Sequence, residues 1–223
     1  LDQVITPGEY LSFLDARLPD LVVGAHLHGS HVLDDVVPGS DLDIVIEVSS
    51  AVEVPPVDGA DVAVVLAGSL EKPVFDVTPL VGEITPVLWQ QLRTVGHTVR
   101  GTRPTCPGTA ADVEACCRDN LISYWKLDFD RFREVAPTLD PEAPAPRDSL
   151  LWVGLGPARL WHTIRTGEII SKSRAGELAA ARWPDLPILD LVASRQGADV
   201  PLKVAHAQAS VDLFDRILAD VTT

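Results

Sequence analysis

Two short stretches decide the reading: His28-Gly29-Ser30, and then Ser40-Asp41-Leu42-Asp43-Ile44-Val45-Ile46. The apolar, Val-rich run Leu21–Leu27 before the first stretch reads as a buried strand that Gly29-Ser30 ends. Residues 34–39 read as a loop, and Asp41–Val48 alternates charged and apolar positions with period two, which is the pattern of a second strand. On such a strand Asp41 and Asp43 point to the same face. Two neighbouring carboxylates repel each other when ionised, and a divalent cation between them turns that repulsion into binding. Mg²⁺ suits such oxygen ligands and completes its shell with water and substrate phosphates. Gly29 lets a phosphate approach the backbone closely, and Ser30 offers it a hydroxyl and an amide. These parts together suit transfer of a nucleotidyl group from a triphosphate.

A third carboxylate is expected from the next strand, as a further metal ligand or as general base on an acceptor hydroxyl. Ala60–Leu70 reads as a short helix and Val74–Leu80 as the third strand, which makes Asp76 the carrier. Asp61 is the competitor, because Asp61-Val62-Ala63-Val64-Val65 also reads as a strand. Around these lie a helix over Pro7–Arg17 with Thr6 as N-cap, a connector at Val54–Gly59, and a helix over Thr85–Val95. Thr, Pro and Gly accumulate at Gly101–Gly108 and mark a boundary, giving domains of 1–103 and 104–223. Beyond it the pattern is helical: Ala110–Val135, Leu150–Thr166 interrupted at Gly156-Pro157, Lys172–Ala181 and Val200–Val221, with a Pro-rich loop at 137–146. The fold class expected is α+β, an N-terminal mixed sheet with flanking helices followed by an all-helical C-terminal bundle.

Composition narrows the partners. Hydrophobic residues make up 46% of the 223 and charged residues 22%, the balance of a globular chain. No apolar run reaches the roughly 20 residues of a membrane helix. With 32 acidic residues against 18 basic ones the net charge is −14, which argues against a nucleic-acid backbone as partner, since phosphates call for clustered Lys and Arg. Cys106, Cys116 and Cys117 form no disulfide framework, and a reducing cytoplasm is the simplest setting. Leu1–Asp20 has neither the basic start nor the apolar stretch of a signal peptide, and the lack of Met leaves a trimmed initiator as the expectation. His26, His28 and His31 gather near the first strand's end, but no fourth ligand completes a zinc site.

The Gly-Ser and Ser-Asp-x-Asp pair resembles the signature of the nucleotidyltransferase superfamily that includes the polymerase-beta-like enzymes. Arg159-Leu160-Trp161-His162-Thr163-Ile164-Arg165-Thr166-Gly167-Glu168-Ile169-Ile170-Ser171-Lys172, followed by Ala179–Pro184, resembles the helical domain of the aminoglycoside adenylyltransferases that modify streptomycin and spectinomycin. That resemblance implies ATP and Mg²⁺ as cosubstrate and cofactor, with AMP passed to a hydroxyl of a small molecule and antibiotic resistance as the setting. It implies a phosphate cradle at Gly29 and Ser30, a triphosphate contact at Ser40, and metal ligands at Asp41 and Asp43. Asp76 falls where the family has a glutamate base, and Arg159 and Lys172 match basic residues that reach the triphosphate. The tryptophan and aspartate positions that hold the drug find no match here, and Gly156-Pro157 stands where the family has ordinary helix. An ATP-binding module without turnover, or a protein or RNA acceptor, are the alternative readings.

Overall fold

The computed structural model describes residues 5–222, which divide into two compact units, the first ending at Asp112 and the second beginning at Val113. Each has its own apolar core.

The first unit opens with α1 (Pro7–Arg17), started by a capping box in which the Glu9 amide donates to Thr6 Oγ1 (3.2 Å) and the Thr6 amide to Glu9 Oε2 (2.9 Å). Four strands follow, β1 (Val22–Leu27), β2 (Leu42–Val48), β3 (Ala60–Leu66) and β4 (His97–Arg100), with α2 (Pro86–Thr94) between the last two. The sheet order is β3-β2-β1-β4; β1 runs antiparallel to β2 and β4, and β2 runs parallel to β3. Alternation along β2 sends Leu42, Ile44, Ile46 and Val48 into one core with Tyr10, Leu11 and Leu14 of α1. Val45, with Ala63 and Val65 of β3, faces the other way, onto Leu88, Trp89 and Leu92 of α2. The carboxylate of Asp43 belongs to this α2 side.

Two elements differ from the sequence reading. Ala60–Leu70 is not a helix: residues 60–66 are β3, and a 3₁₀ turn takes Ser69–Glu71. A continuous apolar run carries no period that separates helix from strand. What decides it is β-branched content and the brackets of Gly59 and Gly68, both at positive φ (79° and 78°). Val74–Leu80 is not a strand either. Asp76 ends a 3₁₀ turn (Val74–Asp76), and only Leu80 and Val81 reach the sheet, where their amides donate to the Val64 carbonyl (2.7 and 3.4 Å). Pro73 and Pro79 flank the segment, and neither can donate to a ladder.

The second unit is helical, with α3 (Ala110–Asn120), a π turn (Leu121–Trp125), α4 (Lys126–Val135), α5 (Arg147–Thr166), α6 (Lys172–Arg182), α7 (Ile188–Arg195) and α8 (Val204–Thr222). Phe129 and Phe214 stack at 4.2 Å in its core. Gly156-Pro157 does not interrupt α5, which runs unbroken through both. Gly156 is there for packing: a Cβ at that position would lie 2.5 Å from the Trp125 ring. Gly176 of α6 plays the same part against Val192 of α7, also at 2.5 Å. The architecture is α+β, a mixed open sheet with flanking helices and a helical C-terminal region.

Candidate active site

The site grows from the end of β1. His28 follows the strand, and its amide donates to the Asp43 carbonyl (3.1 Å). Gly29 then turns the chain with φ +62°, into a 3₁₀ turn over Gly29–Val32. A side chain cannot be placed at this position, because a Cβ would sit 1.9 Å from Asp43 Oδ2. The bare backbone thus lies directly against the carboxylate, and the Ser30 amide donates to the same oxygen at 3.2 Å. Asp43 is therefore held by the turn it was expected to work with. The Ser30 amide is engaged in that contact, so the group of Ser30 without a partner is its hydroxyl: Ser30 Oγ is buried and makes no hydrogen bond, as is true of His31 Nδ1 beside it. Buried polar atoms without partners are uncommon and mark places where a ligand atom can complete the bonding.

Asp41 lies just before β2, exposed, on the same side of the strand as the half-buried Asp43. Across the sheet the parallel register sets Asp43 directly beside Asp61 of β3. Neighbouring strands stand about 4.8 Å apart and in-register residues share a face, so Asp61 joins the face of Asp43. Asp76 does not: it is exposed on the 3₁₀ turn beyond β3, off the sheet. The third carboxylate that the strands bring to the pair is Asp61, and the misread strand at 74–80 is why the sequence favoured Asp76.

The imidazole of His28 is depressed to about 4 by burial, against the opposing pull of the Asp61 charge and of a hydrogen bond with Gln91. At neutral pH the ring is uncharged. Gln91 of α2 also accepts from the Gly29 amide (3.4 Å), a contact with no signature in the sequence, since Gln91 lies far along the chain on a helix read only for its apolar positions. His26 is 1% exposed and bridges Thr98 Oγ1 (3.0 Å) and Glu47 Oε2 (3.3 Å) through its two ring nitrogens, a structural role. Ser40 closes the loop before Asp41: its Oγ accepts from the Val37 amide (3.0 Å), and its own amide donates to the Val37 carbonyl (2.9 Å).

In the second unit Arg159 is half-buried in the middle of α5, close enough to Cys117 for its charge to act on that thiol. Lys172 is the first residue of α6, behind the N-cap Ser171, whose hydroxyl accepts from the Arg174 amide (3.2 Å). Among the described residues no three His, Cys, Asp or Glu side chains form a ready-made metal cluster. Mg²⁺ needs no such cluster, since it is commonly held by one or two carboxylates together with phosphates and water. Carboxylate oxygens beside a buried, unpartnered Ser30 hydroxyl are the kind of donors it takes.

No family model and no curated protein matches the sequence. Among solved structures, the chain is similar to the spectinomycin adenyltransferase AAD(9) from Enterococcus faecialis, determined with ATP and spectinomycin. The identity is 16% and the TM-score 0.59, over 95% of this chain and 97% of that one. Among the described residues no helix is long and apolar enough to cross a membrane. With nearly the whole of both chains superposed, this protein has the fold of that adenyltransferase.

Proposed function

We propose that the chain is an adenylyltransferase that passes AMP from ATP to a hydroxyl of a small molecule. The observation that carries this reading is the meeting of Asp43 with the bare backbone of Gly29 on one side and with Asp61, in register, on the other. Asp41 and Asp43 are the residues to hold Mg²⁺, with Asp61 beside them. The ion, when bound, supplies positive charge against a tetra-anionic triphosphate. Ser30 offers its unpartnered hydroxyl to a phosphate oxygen, and Ser40 keeps the loop ahead of Asp41 closed so that its hydroxyl proton stays available. Arg159 and Lys172 are assigned to the triphosphate through the likeness of their segment to the helical domain named above.

The acceptor oxygen attacks the α-phosphorus, forming one P–O bond as the bond to the pyrophosphate oxygen breaks. In this reading Asp61, in register with Asp43, takes the proton that the acceptor hydroxyl releases. His28 stays neutral beside it and adds no competing charge. The AAD(9) structure holds ATP and spectinomycin, which supports a nucleotide with a hydroxyl-bearing small molecule as the substrate pair, aminoglycosides and aminocyclitols being the first to try. The test is incubation with Mg²⁺, ATP and a panel of such compounds, following pyrophosphate and the adenylylated product. Turnover on at least one acceptor, lost on removing Mg²⁺ with a chelator, is the expected result. Binding of ATP without turnover on any acceptor would favour a silent nucleotide-binding module.

A further inference from the structure

We infer that Gln91 is a positioning residue for the phosphate-binding turn, an inference that rests on the nucleotidyl-transfer reading of the same site. Three successive amides define this turn, and they are tied to two elements. Those of His28 and Ser30 go to Asp43 of β2, by its carbonyl and its carboxylate respectively. The amide between them, that of Gly29, goes to a second element, to Gln91 Oε1 of α2 at 3.4 Å. The turn is thus held between β2 and α2.

The second tie matters because of the residue that it holds. Glycine takes positive and negative φ with similar ease, so a Gly peptide tethered on one side only is free to rotate. Gln91 selects one orientation, the one in which the backbone lies against Asp43 and the Ser30 hydroxyl is left without a partner. Its own side chain is well placed to do so: it is 6% exposed, and the polar groups it meets are the Gly29 amide and the His28 ring. A buried carboxamide of this kind is kept in place by its bonds. The helix that carries it is anchored in turn, by the Thr85 cap and by the Trp89 indole donating to the Lys72 carbonyl (3.0 Å). A turn ordered before the nucleotide arrives spares the nucleotide the cost of ordering it.

The test uses the full chain and calorimetry with two probes, Mg²⁺–ATP and adenosine, which lacks the phosphates. Gln91→Met keeps the volume and removes the acceptor; it is expected to weaken ATP roughly tenfold, the upper end of one hydrogen bond's worth, with adenosine unchanged. Gln91→Leu also lacks the acceptor and serves if the first variant does not fold, with the same expectation of weaker ATP binding and unchanged adenosine. Unchanged ATP affinity in the variants, or ATP and adenosine falling together with the melting temperature, overturns the role. Failure of the wild-type chain to bind Mg²⁺–ATP overturns the adenylyltransferase reading itself, and the inference with it; wild-type binding with indifferent variants overturns the inference alone.

Discussion

At the scale of single residues, the site is built by what is missing as much as by what is present. Gly29 has positive φ and no room for a Cβ, so Gly29→Ala must move either the turn or the Asp43 carboxylate. The expected outcome is a loss of about 1–3 kcal/mol in a denaturant melt, together with loss of ATP binding. Replacing the carboxylates separates the two candidates for the third position. Asp43→Asn and Asp61→Asn should each lower pyrophosphate release by about 10²–10⁴-fold with little change in melting temperature, whereas Asp76→Asn should behave like wild type. A reversed ranking of Asp61 and Asp76 in that assay would return the role to Asp76. The meeting of Asp43 with Gly29 and Ser30 was legible from one line of sequence, because these residues lie close along the chain at the ends of two successive strands. Asp61 and Gln91 were not, because each enters through pairing or packing with a distant segment, which no local pattern records.

At the scale of elements, the strongest local signals gave the right structures and the weaker ones yielded to context. Thr6 caps α1 where the sequence marks it, α2 lies within the expected Thr85–Val95, and β1 and β2 fall within a residue of their expected limits. The two misread segments share a cause: short apolar runs whose state is set by the neighbouring strand. Strand β4 and helix α7 are short and carry no clear period of their own, and pairing with β1 defines the first. The apparent break at Gly156-Pro157 is a site of close helix contact. In the same bundle Gly176→Val would force a branched side chain against Val192 and Leu155, and is expected to cost about 1–3 kcal/mol by thermal unfolding. A charged junction joins α5, α6 and α8: the Trp161 indole donates to Asp220 (2.8 Å), which also meets Arg182 (3.3 Å) and Arg165 (3.4 Å). The indole bond first, and then the arginines, hold the Asp220 carboxyl below the usual range. A carboxyl depressed by folding contributes stability above its unfolded pKa, near 4, and loses it as the pH falls through the lower folded value. Melting temperatures measured from pH 6 downwards should therefore drop more steeply for wild type than for Asp220→Asn.

At the scale of the molecule, two features bear on function: the surplus of acid and the sidedness of the sheet. With a net charge of −14 the chain is expected to pass through a heparin or DNA column at low salt; retention there would reopen nucleic acid as an acceptor. The sheet of the first unit is sided because its alternating residues serve different partners. Ile44 and Ile46 pack with α1, while Val45 shares its side with Asp43 and packs under α2, the helix that carries Gln91. Neighbouring positions on one strand are therefore subject to different tolerances. Trimming Ile44 or Ile46 should shorten the protein's lifetime when warmed and leave its catalytic constants intact once folded. Trimming Val45 or Leu92 should cost stability as well and in addition blunt catalysis, so in a library of core variants of this one sheet the kinetic defects would fall on one parity of residue number along β2.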